Sequence, residues 1–456
     1  MTSASAPAGL AASAGKPPPG PCRPQRRPQP GSRWAGRLLA AWLSGLTGCA
    51  GLLPGLPFPW RTDAFGEHRL VGLLDSGEVP ESSGVAAGSR QRGVFWTHND
   101  SGPPRVYALR LEPAESPTRV RLLGHVELSG ARNRDWEDIA AGPAGMLYVL
   151  DGGDNPPCDR ADKCIYRFTE PRLDGPGSPG GFGPVPWERL RFEYPAADDP
   201  ARPAARPDDR FDAETLLVHP STGDMYIVTK RDTRDRGAAR VFKLQASAAR
   251  WGDPSVHVLR PVHDLTAGLG VSTAVLTTVT GGEIDPTGRR MVLRRYFAAY
   301  EFTLPPGADF DEIFRQTPVD VPLTGELQGE GICYAHDGRS LVTTSEVVRF
   351  GPATCPVFFT PWEVANVRVA VRGDRAVVRC DTRLPLEAGV EYGPAQAPGE
   401  RADLDRIASA PGPRTRHAVD LQALQPARQY FFRLTCGPWK LPPDPDRLPF
   451  TFTTPG

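Results

Sequence analysis

Hydrophobic residues between about 66 and 360 come in short runs, and the runs recur inside one loose phrase. The phrase is an acidic residue, a short apolar stretch, a turn carrying Gly, a second apolar stretch and a polar end. Glu81-Ser82-Ser83-Gly84-Val85-Ala86 leads to Gly93-Val94-Phe95-Trp96-Thr97-His98-Asn99-Asp100. Asp135-Trp136-Glu137-Asp138-Ile139-Ala140 leads to Gly145-Met146-Leu147-Tyr148-Val149-Leu150-Asp151. The phrase returns at Asp212-Ala213-Glu214 with Met225–Lys230, at Gly282-Glu283-Ile284 with Met291–Arg294, and at Gln328-Gly329-Glu330 with Leu341–Glu346. Each phrase predicts two antiparallel strands joined by a tight turn.

Further strands are predicted between the phrases, for example Val106–Leu111 and Arg240–Leu244, with a weaker phrase over Val256–Leu265. Repetition of short strand pairs without a helical period predicts a β-propeller. Five clear phrases and the weaker one predict about six blades, with five or seven also compatible. The Pro-, Gly- and Asp-rich stretches 174–188 and 195–209 are expected to be surface loops.

The pattern changes after 361. Val367, Val369 and Val371 alternate with polar residues, as do Ala376, Val378 and Cys380, and later Tyr430, Phe432, Leu434 and Cys436. This is strict strand alternation. Before 66 there is a third texture. Residues 1–33 are rich in Ala, Pro, Gly and Arg and are expected to lack order. A basic segment, Arg33–Arg37, precedes the apolar stretch Leu38–Leu46, and residues 50–62 form a Pro/Gly-rich tether. The expected organisation is therefore a leader over 1–48, a tether over 49–65, a propeller over 66–361 and a C-terminal β domain over 362–456.

Composition sharpens this. The 51 prolines and 48 glycines among 456 residues suit many strands and tight turns. Lys plus Arg equals Asp plus Glu at 53 each, so no global charge points to nucleic acid. No apolar run reaches the roughly 18 residues a membrane-spanning helix needs.

Basic segment, short apolar stretch and Leu46-Thr47-Gly48-Cys49 follow the order of a secretory signal. The last four residues resemble the lipobox of bacterial lipoproteins. That resemblance implies cleavage before Cys49, lipid on its thiol and a cell envelope location. Ala50, rather than Asp, implies the outer membrane. The stretch before Leu38 is long for such a leader, which points to a start downstream of Met1. Of eight cysteines, Cys22 lies in the leader and Cys49 would carry lipid. Cys158, Cys164, Cys333, Cys355, Cys380 and Cys436 remain, an even set read as disulfides in an exported chain.

The motifs His98-Asn99-Asp100-Ser101-Gly102, Asp135–Ala140 and Asp151-Gly152-Gly153-Asp154-Asn155 resemble those of an uncharacterised group of bacterial exported propellers, over about residues 75–350. More distantly the architecture is similar to phytase-like and esterase-like calcium propellers, neither of which supplies a catalytic residue that maps here. Leu424-Gln425-Pro426-Ala427-Arg428-Gln429-Tyr430 resembles the Leu-x-Pro-x-x-x-Tyr of fibronectin type III domains, where the Tyr hydroxyl bonds back to the backbone at a sheet corner. In such a sandwich Cys380 and Cys436 both point inward and can bridge the sheets. Cys333 and Cys355 would staple the last blade, and Cys158 and Cys164 would close a loop beside Asp154.

The acidic positions carry the chemistry. Glu81, Glu137, Glu214, Glu283 and Glu330 hold nearly equivalent places before inner strands, and equivalent blade ends converge on a propeller axis. Convergent carboxylates repel unless a cation neutralises them. Oxygen ligands favour Ca²⁺, and Asn99, Asp100, Asp154 and Asn155 add further oxygens. Alternatively, Lys230, Arg294 and Arg295 balance the ring without a metal, and the loop Asp and Asn residues simply form turns. No nucleophile elbow, phosphate loop or paired-His motif is present. His98 and His219 stand alone in loops, and Trp96 and Trp136 suit a core. Two functions stay open. One is an envelope binding or scaffold protein holding Ca²⁺, a small polar ligand or an envelope partner. The other is a calcium-dependent phosphate- or carboxyl-ester hydrolase gripping its substrate with Lys230, Arg294 and Arg295.

Overall fold

The structure is a computed structural model. It describes residues 64–456 except 75–76, 156–159, 174–180, 196–210, 231–238, 266–277, 317, 327, 347–354, 396–403, 438 and 442–449. Cys22, Cys49, Cys158 and the whole leader lie outside the described residues. Those described are almost entirely strands and loops, with three short 3-10 turns, and none of their helices is long and apolar enough to cross a membrane.

Five sheets follow one another along the chain. The first holds Ser82–Ala87, Val94–Asn99, Arg105–Glu112 and Arg119–Glu127. The second holds Trp136–Gly142, Met146–Asp151, Cys164–Thr169 and Trp187–Glu193. The third holds Ala213–Val218, Met225–Thr229, Arg240–Leu244 and Arg260–Asp264. The fourth holds Val279–Ile284, Arg290–Arg295, Ala298–Thr303 and Val319–Val321. The fifth holds Gly329–Tyr334, Leu341–Ser345 and Cys355–Thr360, and its outer strand is Arg69–Leu74 from the start of the region. Tight turns at Gly223, Gly288 and Gly338 join first strands to second strands; all three have positive φ, which Gly adopts without strain.

The first strand of each sheet touches the first strand of the next, and the fifth touches the first. Alternate side chains of each strand feed alternate interfaces. Val94 and Trp96 pack with Ile139, Val149 and Phe168 of the second sheet. Phe95 and Leu109 pack with Cys333, Val342 and Phe359 of the fifth. Similar cores join the second sheet to the third, the third to the fourth, and the fourth to the fifth. First and second strands are buried on both faces, as in Ala213–Val218 and Met225–Thr229, so their sequences read as apolar runs. Outer strands such as Trp187–Glu193 are covered on one face and alternate.

The stretch Val256–Leu265 does not form a sheet of its own, although its sequence suggests one further repeat. Val256–Val258 pairs parallel to Trp187–Glu193 in the second sheet, and Arg260–Asp264 edges the third. These few residues make only edge strands, which local apolar runs do not distinguish from a repeat.

Two more sheets follow. One holds Ala64–Phe65, Trp362–Arg372, Arg375–Leu386 and Arg414–Leu421. The other holds Arg406–Ser409, Ala388–Pro394, Gln429–Cys436 and Trp439–Leu441, with Phe450–Thr453 also pairing Gln429–Cys436. They share one core, in which Val364, Val378 and Val419 of one sheet meet Val390, Tyr430 and Phe432 of the other. The Tyr430 hydroxyl accepts a hydrogen bond from Gln425 N at 2.8 Å, five residues upstream. Residues 64–74 run antiparallel to 355–364 as a seam, through Ala64 opposite Val364, the Gly66 N to Pro361 O bond, and Leu74 opposite Cys355.

The cysteines only partly follow expectation. Cys333 lies opposite Val342, itself opposite Phe359, whereas Cys355 lies four residues from Phe359 on that third strand. Two strand spacings and four residues exceed the roughly 7 Å Cα separation a disulfide tolerates, so these two buried thiols are free and do not staple the sheet. Cys164 is a buried free thiol opposite Asp151. The sulfurs of Cys380 and Cys436 meet across the C-terminal core at 3.6 Å.

Candidate functional site

All five first strands carry a β-bulge near their start. Between Ser82 and Gly84 the strand advances two residues while its partner moves only from Asn99 to His98. The same slip falls at Glu137, at Glu214 and at Thr280, and over Glu330-Gly331 in the fifth strand. A bulge leaves its extra residue out of the ladder and re-aims its side chain. Ser83, Glu137, Glu214, Thr280 and Glu330 therefore hold the same station in five mutually touching strands.

The next residue is Gly in three of them, because neighbouring strands approach closely there. A Cβ on Gly84 would lie 2.8 Å from Asp138 Cα, and one on Gly281 would lie 2.3 Å from Glu330 O. In the second strand this place is Asp138. Its carboxylate accepts from Ile139 N at 2.8 Å and Leu216 N at 2.9 Å, stitching the second sheet to the third.

Three acids converge at this station. One carboxylate oxygen from each of Glu137, Asp212 and Glu214 lies within 4.8 Å of the others, and all three residues are buried. Asp135 joins them, since a Cβ on Gly153 would collide with both Glu137 Oε1 and the Asp135 carboxyl. Asp154 N donates to Asp212 Oδ1 at 2.8 Å, and Ser83 Oγ donates to Glu137 Oε2 at 3.2 Å. Lys230 Nζ donates to Glu214 Oε1 at 2.8 Å and lies 5.7 Å from the centre of the Tyr296 ring. Glu330 is 4% exposed, and its Oε2 has no hydrogen-bond partner among the described residues.

The charge does not balance. Burial, then neighbouring Glu214, pushes Glu137 well up from the usual carboxylate range. Burial raises Glu214 to about 8, with Lys230 only partly opposing it. Burial and Asp212 raise Asp135 to about 6, and burial holds Glu330 well up despite Lys230. Burial works against the Lys230 ammonium, yet Glu214, Tyr296, Glu330 and Asp212 hold its proton firmly. Among the described residues the cluster carries more carboxylates than Lys230, with Arg160 near Asp135, can neutralise, so it favours an added cation or added protons.

Other predicted residues stand elsewhere. Glu81 is exposed, outside its strand, and shares a hydrogen bond with Asp100, whose carboxyl is raised to about 8 by burial and by Glu81. Asn99 braces a turn, accepting from Glu81 N and donating to Glu78 O at 2.7 Å. Asp154 is paired with Lys163, and Asn155 is exposed. Glu283 is not equivalent to Glu137. It lies near the far end of its strand, three residues past the bulge, and accepts from Tyr334 N at 2.5 Å. Arg294, expected to balance the acids, pairs elsewhere. Fully buried, it donates to Gly331 O at 2.9 Å and to Glu326 Oε2 at 3.1 Å. Burial opposes Glu326, but Arg294 and His68 bring it down to about 2. Arg295 sits beside Tyr300. His98 is buried and lowered to about 4 by that burial, while Trp96 and Trp136 are core. His219 Nδ1 accepts from Ser221 N and Thr222 N within a turn.

Asp135 and Asp212 were absent from the expected ligands. Their signal was present, since both stand two residues before a bulged Glu, in Asp135-Trp136-Glu137 and Asp212-Ala213-Glu214.

No protein-family model matches the chain, and no curated protein matches it. Several solved structures are similar in part. A 2S albumin seed protein from Dolichos covers 54% of this chain and 94% of its own at 11% identity and TM-score 0.30. A protein assigned as an oxidoreductase (glucose dehydrogenase) from Thermus thermophilus covers 65% and 100% at 15% identity and TM-score 0.31. The hemopexin fold protein CP4 from cow pea covers 54% and 92% at 9% identity and TM-score 0.29. At these TM-scores the likenesses carry no conclusion about fold or activity.

Proposed function

We propose that this chain is a cell-envelope binding or scaffold protein whose β-propeller holds a divalent cation, Ca²⁺ foremost, in an acidic axial site. The cycle of contacts among five first strands supports five blades rather than six, with Arg69–Leu74 closing the fifth. The shared core of the last two sheets and the Tyr430 to Gln425 bond support a fibronectin type III-like sandwich after it. Leader, lipobox-like segment and Cys49 support a lipid anchor and an envelope location.

The observation that carries the cation reading is the spacing of Glu137, Asp212 and Glu214. Oxygens bound to Ca²⁺ lie roughly 2.4 Å from it, so opposite ligands stand about 4.8 Å apart. Three carboxylate oxygens within 4.8 Å of one another are close enough to share one such ion. The donors are oxygens, which suit Ca²⁺ or Mg²⁺ and not a soft metal. Asp135 is placed to add another. Bound there, the cation would neutralise the cluster and hold the second and third blades together. The same site, charged, could present a small polar ligand or envelope partner to the axis.

The hydrolase reading keeps only Lys230 of its three bases at the cluster, because Arg294 is paired with Glu326 and Arg295 sits beside Tyr300. Ser83 Oγ donates to Glu137 O at 2.9 Å and to Glu137 Oε2 at 3.2 Å, so it is tied to an acid of the proposed cation site. Metal analysis of chelator-free protein should find bound calcium, and calcium should raise the melting temperature. Glu137→Gln and Glu214→Gln should each abolish both. Absence of calcium and of the melting shift in the wild type would refute the cation site. Mass spectrometry of the envelope fraction should recover a Cys49 lipopeptide; an unmodified, soluble wild-type chain would refute the anchor.

A further inference from the structure

Resting on the cation reading above, we propose that Lys230 is a tethered counter-ion that the divalent cation displaces from Glu214 onto Glu330. Glu214 belongs to two arrangements at once. It is one of the three clustered carboxylates, and its Oε1 accepts from Lys230 Nζ at 2.8 Å. An ammonium and a divalent ion sharing that carboxylate would lie within a few ångströms of each other, with little water between them to screen the repulsion. Moving one of them away relieves that repulsion.

The structure contains a destination for the ammonium. Glu330 holds the station equivalent to Glu214 two sheets away, is 4% exposed, and has Oε2 without a partner among the described residues. An unpartnered carboxylate oxygen buried beside an acidic cluster is costly, and a second position for a nearby cation explains it. Gly329 N, next to Glu330, donates to Tyr296 O at 3.1 Å, which sets Glu330 beside the residue whose ring Lys230 approaches. The Tyr296 ring, 5.7 Å from Nζ, offers its face to the ammonium. The Lys230 backbone does not have to move. Its N–H donates to Asp212 O at 2.9 Å, and its carbonyl accepts from Val279 N at 2.9 Å. Only the flexible four-carbon stem swings.

Charge explains why such a device is useful. Empty, the cluster keeps one internal cation and stays folded. Loaded, ion and ammonium together face Glu137, Asp212, Glu214 and Glu330. A monovalent ion that displaced Lys230 would bring no more charge than it removed from the three acids. A divalent ion brings more, so the lysine favours divalent ions over the monovalent salt around the protein.

The test is calcium binding by the full chain, read by calorimetry, in the wild type, Lys230→Met, Glu330→Gln and the double variant. Circular dichroism confirms that each is folded. Removing the competitor should tighten calcium binding about tenfold or more in Lys230→Met, and removing the destination should weaken it about tenfold in Glu330→Gln. In the Lys230→Met background the same Glu330 substitution should change affinity less than about threefold, the signature of two residues acting as one. If the wild type binds calcium and either Lys230→Met fails to tighten it or Glu330→Gln fails to weaken it, displacement is wrong. If Lys230→Met does not fold, the Glu330→Gln result decides alone. If no calcium binds to the wild type, the cation site itself has failed.

Discussion

The ring of five sheets and the C-terminal pair are both built of antiparallel strands, yet they bury different chemistry. The ring buries Glu137, Asp138, Asp212, Glu214, Glu283, Arg294, Glu326 and Glu330. Among the described residues of the C-terminal sheets the one buried carboxylate is Glu363, which is paired with Arg383 at 2.6 Å. Their shared core is Val, Leu, Tyr, Phe and two sulfurs. Burying charge is expensive and contributes little to stability compared with apolar packing. The fold therefore concentrates its costly buried carboxylates in one region and leaves the other to apolar packing. Even within the ring there are two kinds of buried charge. Glu326 is fully answered by Arg294, His68, Thr343 and Ser345, whereas the Glu137 cluster is short of cations.

Breaking the answered pair should have the largest effect. Arg294→Met leaves Glu326 buried without its main partner and should lower stability by about 3–5 kcal/mol in denaturant unfolding. A loss below about 1 kcal/mol would mean the pair is replaceable and the contrast within the ring is false. Next comes the C-terminal core. With a disulfide-exchanging oxidant, the Cys380 and Cys436 thiols should lose two protons and two electrons and join. Non-reducing peptide mapping should recover the cross-linked peptide, and reduction should lower stability by about 2–4 kcal/mol. Free alkylation of both thiols after that oxidation would count against it.

The pH dependence tests the cluster directly. The ordinary carboxyl value of 4.5 applies to Glu214 and Glu283 when unfolded, and both are raised to about 8 when folded. The folded state thus holds these protons more tightly. That stability is fully present below about pH 4.5 and is lost as the pH rises through about 8. Without divalent ions the chain should lose stability steadily as the pH rises from 5 to 8, and calcium should restore the Glu214 share. Hydrogen exchange should locate the change in the ring and not in the C-terminal sheets; an even spread would remove the distinction. Smallest is Tyr430→Phe, which deletes the bond to Gln425 N and should cost about 1 kcal/mol without altering calcium binding.

Much of the strand content was legible because first and second strands are buried on both faces and read as apolar runs. Tyr430 was legible because its corner contact is local, from Gln425 to Tyr430. The acids Glu137, Glu214 and Glu330 could be picked out from their position before those runs. Glu283 misled because its strand begins at Val279, with Thr280 at the bulge and Gly281-Gly282 giving no apolar signal. A bulge leaves no mark on alternation one strand at a time; it appears only when the partner's register is known. The outer strand of the fifth sheet was equally hidden, since Arg69–Leu74 pairs with Cys355–Thr360 far along the chain. Pairing over that distance depends on closure of the ring and not on local pattern.

The seam between 64–74 and 355–364 has a mechanical meaning. A pull arriving from upstream of Ala64 does not fall on a dangling end. It is first resisted by Ala64–Phe65 in the C-terminal sheet, then by Gly66 on Pro361 and His68 on Thr360, and only then by Arg69–Leu74 in the ring. Tension therefore has to tear a run of bonds joined to both regions before it can open the fifth sheet, which carries Glu330.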